Sequence, residues 1–348
     1  MNKHFRYLLT FYYFFQFCLV LIAQETPEPK ELHGTDSIPP ALNSDLITKD
    51  EKGTKISLLV KPVINDVLRY TINSFTLSTE KSPETDDKKI TSTEDINYFY
   101  SEEVMEISPA GIITYKIKFD SIIVISTDSS DPDGKRIYNS NMKNYVWHHP
   151  EFIHFSSFIH EEFFARVSSK GELTSIYGLE KMYENLFSAW GDTLNSNHKE
   201  ALKNSFDQEY FISIFQPQFQ FFPEKAIYED SGWVRSYEKE ITIFPVKNEF
   251  KYRLNNVKQN NDQYFINVEA AMSTDVLEKK IKDEQLTYEL ENSSFTGKGN
   301  YEFNMSKGCL VSKHTDMVIE LNLKISEKKD SIRTYNMVKQ TLSINLLQ

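Results

Sequence analysis

Histidine and acidic side chains concentrate in one short stretch, the densest group of potential metal ligands in the chain. It contains His148, His149, His154, His160, Glu161 and Glu162. Histidine nitrogens and carboxylate oxygens suit zinc and related ions. The metalloprotease arrangement needs two histidines four residues apart on a helix, with a glutamate directly after the first. Phe164 stands where that second histidine would be, so the specific motif is absent and only the cluster remains.

Other catalytic chemistries lack their local patterns. No Gly-x-Ser-x-Gly elbow singles out a nucleophilic serine. Cys309 precedes His314 by five residues, but a buried thiol in a strand explains such a cysteine more often than catalysis does. Gly297-Lys298-Gly299 does not match a nucleotide phosphate loop and is interpreted as a short interruption between strands. We therefore assign no catalytic, cofactor-binding or metal-binding residue and no cofactor.

The N-terminus has the order typical of a cleavable signal peptide. Lys3 and Arg6 precede an apolar run from Tyr7 to Ala23, so we expect cleavage after residue 23 and a secreted or periplasmic, cell-envelope location. A retained anchor is the first alternative, because the run is at the lower limit for spanning ~30 Å of hydrocarbon. Cys18 makes a lipid anchor the second alternative, although the small residues that precede a lipoprotein cysteine are absent.

The net charge limits the classes of binding partner, and the cysteine content limits the disulfides that can form. The formal net charge is −11, and signal cleavage removes two positive charges and one of the two cysteines. An acidic chain repels phosphate backbones, which argues against nucleic acid. With Cys309 alone, no intramolecular disulfide can form. The partner is unknown; an apolar ligand or an envelope protein are the candidates, and no stable membrane span is expected after cleavage.

Aromatic residues are unusually frequent, with 25 Phe, 19 Tyr and 3 Trp. Such side chains favour strands and fill the space between layers of structure. A surface on which a ligand stacks is the functional interpretation of the same excess, and core packing is the commoner one.

The sequence pattern divides the chain into three parts, of which the first is the predicted signal peptide, residues 1–23. Residues 24–54, rich in proline and low in periodicity, are predicted to be a flexible tether. Residues 55–348 are predicted to be a single β-rich domain with a helical insertion at 178–216. The alternation of Ile113 to Phe119 is typical of a half-buried strand. Predicted strands are Ile56–Val60, Val67–Thr79, Asn97–Ile107, Ile112–Thr127, Phe163–Ser168, Leu173–Tyr177, Trp233–Phe244, Phe250–Lys258, Gln263–Ser273, Gln285–Asn304, Cys309–Ser326 and Ile332–Leu347.

Two helices are predicted inside the insertion. Apolar residues at three- and four-residue spacing predict the first over Leu179–Ala189. The second is predicted to begin at Asn197, with Glu200 completing a capping box, and to end at Pro217. The fold class is therefore mainly β: a curled antiparallel sheet or half-barrel, with the helices against its concave face.

Several short segments together resemble a family of secreted bacterial proteins known only as a domain of unknown function. They are Arg136–Ser140, Phe164–Leu173, Phe222-Pro223, Gly232-Trp233 and Phe295–Gly299, followed by Phe303 and Gly308. The chain departs from the pattern at Glu229-Asp230-Ser231, directly before Gly232. The resemblance implies an exported β-rich fold and supplies no reaction and no catalytic residue.

Two hypotheses follow. The first is a non-enzymatic binding or envelope-structural protein, whose curled sheet holds an apolar ligand or a protein segment; its fold is similar to the half-barrel lipoprotein carriers, by analogy alone. The alternative is a metal-dependent hydrolase that uses the cluster from His148 to Glu162. The aromatic excess favours the first.

Overall fold

The computed structural model describes residues 46–83, 88–131, 134–142, 150–191, 194–283, 286–327 and 330–347. The predicted signal peptide, and the predicted tether as far as residue 45, lie outside the described residues. Residues 46–54 differ from the predicted tether, because Ile47–Asp50 (β1) and Gly53–Ile56 (β2) pair as an antiparallel hairpin. Ile56 is fully buried in the core, so apolar burial holds this hairpin in place.

Strands make up most of the described residues. After β1 and β2 they are β3 (Val67–Lys81), β4 (Lys89–Ile107), β5 (Ile113–Asp128), β6 (Lys135–Asn139), β7 (Glu162–Val167), β8 (Leu173–Tyr177), β9 (Ile227–Tyr228), β10 (Gly232–Ile241), β11 (Phe244–Asn260), β12 (Gln263–Val276), β13 (Lys280–Asp283), β14 (Leu286–Asn304), β15 (Cys309–Glu327) and β16 (Asp330–Leu346). The helices are α1 (Ile153–Phe158), α2 (Glu180–Trp190), α3 (Ser196–Ser205) and α4 (Gln208–Phe215).

One large antiparallel sheet dominates the fold, as predicted. Its strand order is β10-β11-β12-β14-β15-β16-β3-β4-β5-β7-β8, with β6 added to β5 and β13 added to β14. The sheet is not closed into a barrel, because β10 and β8 remain its two edges. A separate small sheet has the order β1-β2-β9.

The large sheet consists of two meanders joined by one strand. The first meander contains β3, β4, β5, β7 and β8, and the second contains β10, β11, β12, β14 and β15. Strand β16 lies between them and pairs with β15 on one side and β3 on the other. Ile344 of β16 is thereby aligned with both Lys313 and Ile72.

One predicted strand is cut short and another is divided in the structure, whereas the predicted strand Asn97–Ile107 begins earlier, at Lys89. The predicted strand Ile56–Val60 ends at Ile56, and its remainder runs as loop. The predicted strand Trp233–Phe244 is divided, because Thr242 has φ 62° and turns the chain back on itself. A residue with positive φ leaves the extended conformation, so β10 and β11 form a hairpin.

The helical insertion contains three helices. The prediction for α2 is confirmed, but the predicted second helix is two. The N-cap is Asn195, whose side chain accepts a hydrogen bond from the His198 N–H at 2.9 Å, so the predicted cap at Asn197 is wrong. Phe206 leaves the helical conformation, and the Asp207 side chain then caps α4 by accepting from the backbone N–H groups of Glu209 and Tyr210.

Helix α4 packs into the inner face of the sheet, and every residue from Phe211 to Phe215 is buried. The Phe215 ring lies 5.5 Å from the Phe119 ring and 5.1 Å from the Tyr100 ring. Most of the described aromatic side chains pack in or against this core, between the helices and the inner face of the sheet. Within the described ranges, no helix combines the length and apolarity that crossing a bilayer requires.

Candidate functional site

The described members of the histidine–carboxylate cluster separate in the fold. The His154 ring is partly buried and stacks on Phe206 at 4.7 Å, and desolvation lowers its pKa to about 3. Glu161 accepts a hydrogen bond from Asn185 at 2.9 Å, whereas a Glu162 oxygen lies 3.9 Å from the Lys116 nitrogen. His160 occupies a turn with φ 67°.

His148 and His149 lie outside the described residues. Among the residues that are described, no three His, Cys, Asp or Glu side chains converge as metal ligands. The described part of the cluster therefore supplies aromatic packing, an amide contact and an ion pair.

Cys309 and His314 have separate surroundings. Burial raises the pKa of the Cys309 thiol to about 12, which keeps it protonated. His314 contacts Ser343 through Nδ1 at 3.0 Å, and its Nε2 lies 3.5 Å from an Asp316 oxygen. Because the thiol is buried and the imidazole is directed to other groups, these two residues do not form a nucleophile–base pair.

A candidate binding site lies elsewhere, where the segment Gln216–Pro223, here named the strap, crosses the inner face. Pro217 prevents further helix after α4, and the sequence then alternates glutamine and phenylalanine. All three glutamines of the strap, Gln216, Gln218 and Gln220, are buried. Buried amides need partners for their donors and acceptors, so these glutamines fix the course of the strap.

Gln216 ties the strap to the β7–β8 hairpin. Its Oε1 accepts from the Leu173 N–H at 2.9 Å, and its Nε2 donates to the carbonyls of Gly171 (3.1 Å) and Phe219 (2.9 Å). Gly171 has φ +82°, and a Cβ there would lie 1.8 Å from the Gln220 carbonyl oxygen. Only glycine fits this close approach.

Gln218 is bound to two side chains of β4. Its Nε2 donates to Glu102 Oε2 at 2.6 Å, and its Oε1 accepts from the Tyr100 hydroxyl. Burial raises the pKa of Glu102 to about 8, so its carboxyl is protonated at neutral pH. The contact thus joins two neutral groups within the core.

Beside the strap, four partly buried aromatic rings form a continuous row on the inner face of β10 and β11. We name this row the aromatic ladder; it consists of Trp233, Tyr252, Phe250 and Tyr237. Neighbouring ring centroids lie 5.0, 6.3 and 5.8 Å apart, with interplanar angles between 11° and 17°. The Trp233 indole N–H donates to the Phe221 carbonyl at 3.1 Å, which attaches the ladder to the strap.

A cavity of about 70 Å³ lies between the ladder, the strap and strands β12, β14 and β15. Short side chains leave this space open: Gly299 lies opposite Ala270, and Gly297 has no side chain opposite Met272. A Cβ at Gly299 would lie 2.5 Å from the Thr315 side chain, so the strands could not hold a larger residue. Its inner-face lining includes Phe221, Phe250, Tyr252, Met272, Lys313 and Met317.

Lys313 is the basic group of this cavity on the inner face. Its Nζ donates to the Pro217 carbonyl at 2.9 Å and approaches Gln220 Oε1 at 3.3 Å. Burial alone lowers the pKa of Lys313 to about 8. The arrangement offers apolar walls, an aromatic surface and one cationic donor, which is suited to binding and contains no nucleophile with an adjacent base.

Sequence reasoning missed these residues, and it assigned Gly297-Lys298-Gly299 to a gap between strands. The structure corrects this, because all three lie inside β14. Two glycines within a run of strand-forming residues signal a close approach of backbone or ligand, and this signal could have located the cavity floor. The aromatic ladder is a small part of the aromatic excess, and ligand stacking on it stays a prediction.

Comparison with protein families identifies the family to which this chain belongs. A family model, "Family of unknown function (DUF6263)", matches residues 110–310. No curated protein matches this chain.

Solved structures give only distant matches. A lipovitellin structure, titled for lipid–protein interactions, is 10% identical at a TM-score of 0.42, covering 83% of this chain and 25% of that one. OpdQ of Pseudomonas aeruginosa is 7% identical at a TM-score of 0.24, covering 82% of this chain and 100% of its own. The chain thus spans about a quarter of the lipovitellin chain.

The family match agrees with the resemblance that the sequence motifs indicated, and it covers more than half of the chain. This chain belongs to the family of unknown function DUF6263.

Proposed function

We propose that this is an exported, non-enzymatic binding protein that holds an apolar ligand between the aromatic ladder and the strap. The observation that carries the proposal is the apolar cavity, which opens beside partly exposed rings on a surface that the core leaves uncovered. Apolar pockets with few polar groups are the usual form of small-molecule sites. Export is supported by the N-terminal sequence pattern at residues 1–23.

The size of the cavity limits how a ligand sits. About 70 Å³ is smaller than the roughly 150 Å³ cavity that accommodates benzene in other proteins. Only one end of a larger ligand fits inside, and the remainder lies along the ladder. The aromatic side chains there supply contact area at low cost in conformational entropy.

The test is binding of the neutral apolar dye N-phenyl-1-naphthylamine to purified protein, combined with mass spectrometry of an organic extract. Tyr252→Ala removes a ring that lines the cavity and is expected to weaken dye binding about fivefold to thirtyfold. Phe75→Ala, which removes an exposed ring on the outer face of β3, is the matched control and leaves dye affinity unchanged. No co-purifying lipid and no dye binding would overturn the proposal.

A further inference from the structure

Lys313 stands out among the charged residues that line the cavity. Lys298 and Asp316, which also line it, are register partners across β14 and β15 and lie on the outer face. Lys313 lies on the inner face, opposite Tyr301, and no described carboxylate forms an ion pair with it. A desolvated cation without a counter-ion is costly, so this position is a candidate for an anionic ligand.

Hydrogen bonding leaves the Lys313 ammonium incompletely satisfied. An ammonium has three N–H donors, and two acceptors are present, the Pro217 carbonyl and Gln220 Oε1. Both belong to the strap, which fixes the nitrogen where the strap borders the cavity. One donor remains for a ligand.

We propose that Lys313 binds the carboxylate head of a long-chain aliphatic acid, with the chain lying along the aromatic ladder. This deepens the proposed function and rests on it. A single unit charge and one spare donor match a carboxylate monoanion. A phosphate dianion needs more cationic donors than the single ammonium of Lys313 supplies on the inner face.

The experiment compares dodecanoate with the uncharged 1-dodecanol, each displacing the neutral dye from the full chain. We expect the wild-type protein to prefer the acid by about tenfold or more. Lys313→Met is expected to abolish that preference while retaining binding of the alcohol. Lys170→Met is the matched control, because Lys170 Nζ also donates to a strap carbonyl, that of Pro223, at 2.8 Å. It loosens the strap without changing the acid-to-alcohol ratio.

The pH dependence tests the charge directly. In the unliganded protein Lys313 loses its proton near pH 8, and the dodecanoate carboxyl is ionised above about pH 6. Dodecanoate affinity is therefore expected to be constant between about pH 6 and about pH 8 and to fall up to about tenfold per unit above that range. Lys313→Arg remains charged and removes this fall. Glu102, whose pKa is also about 8, reaches the site through Gln218, and Glu102→Gln is expected to leave the fall in place. The cavity tyrosines Tyr252 and Tyr301 have raised pKa values and stay neutral throughout.

The outcomes separate the two proposals. Equal affinity for acid and alcohol in the wild-type protein overturns the carboxylate site and leaves the apolar binding function standing. Tighter binding of dodecyl phosphate than of dodecanoate also overturns it. Absence of dye, acid and alcohol binding overturns the proposed function itself. If Lys313→Met does not fold, the acid-to-alcohol affinity ratio of the wild-type protein and the pH profile of Lys313→Arg still test whether Lys313 binds the carboxylate.

Discussion

Arg235 and Glu172 connect the two edges of the open sheet: Arg235 Nη2 on β10 lies 3.1 Å from Glu172 Oε1 in the β7–β8 hairpin. The same guanidinium lies 3.8 Å from the centre of the Phe221 ring in the strap. No ladder of backbone hydrogen bonds joins these edges, so side chains and the strap bridge the gap.

Replacing Arg235 by Met is expected to lower the free energy of unfolding by about 1–2 kcal/mol, because an ion pair and a cation–π contact are lost together. Urea denaturation measures the change. Arg253→Met is the control, since Arg253 lies on the neighbouring strand with an exposed ion pair of 3.9 Å. Its expected effect is below about 0.5 kcal/mol. Equal effects of both substitutions would contradict a bridging role for Arg235.

Gly171→Ala is expected to destabilise the protein by about 3–5 kcal/mol, because it combines positive φ with a clash against the Gln220 carbonyl. Gly134→Ala isolates the first cost, since Gly134 has φ +60° and its nearest atom is 3.8 Å away. There we expect about 1–2 kcal/mol. Trp233 fluorescence reports displacement of the strap, because the indole N–H donates a hydrogen bond to the Phe221 carbonyl. A Gly171→Ala protein as stable as Gly134→Ala would refute the close approach.

Glu102 is expected to make the protein less stable as pH rises. Its folded pKa of about 8 exceeds the unfolded value of 4.5, so the folded state holds an extra proton between these values. Stability is full below about pH 4.5 and is lost toward pH 8, by up to about 1.4 kcal/mol per pH unit. Glu102→Gln is expected to flatten this slope and to be more stable than wild type at pH 8.

Glu94, with a pKa raised to about 7 by burial and the nearby Glu151, contributes a similar slope. Glu102→Gln therefore removes only part of the alkaline loss. Denaturation midpoints measured at pH 5, 6, 7 and 8 separate the two contributions. A slope unchanged by Glu102→Gln would show that its carboxyl is ionised in the folded protein.

The pH dependence of stability that His154 contributes has the opposite sign to that of Glu102. Its folded pKa of about 3 lies below the unfolded value of 6.5, so the unfolded state binds the extra proton in acid. The stability contributed by this group is present above pH 6.5 and is lost as the pH falls toward 3. His154→Leu is expected to reduce the loss between pH 7 and 4.5, whereas His198→Leu, at an exposed helix position, is expected to leave it unchanged.

Much of the fold could be predicted from local pattern. The alternation of Ile113 to Phe119 identifies β5 as a strand, since side-chain direction in a strand has a period of two. The start of α3 could not be placed, because Asn195 and Asn197 are both good caps. The break between α3 and α4 could not be placed either, because the apolar stripe continues through Phe206.

The candidate site was less predictable because its partners are distant in sequence. Gln218 meets Glu102 across 116 residues, and no local signal marks a glutamine as buried. Lys313 faces the cavity partly because an irregularity between β14 and β15, at Glu302 and Phe303, changes the register. Such an irregularity reverses the face that later residues present, which periodicity alone does not reveal.

The central position of β16 has a consequence for folding order. Each meander consists of strands that follow one another closely along the chain, so each can form through local contacts. The β3–β16 ladder, in contrast, joins residues as far apart as Ile72 and Ile344. Closing so long a loop is slow, and the two meanders cannot become one sheet until residues 330–346 are present. A chain synthesised from its N-terminus would therefore hold its two meanders as separate sheets until β16 has been made.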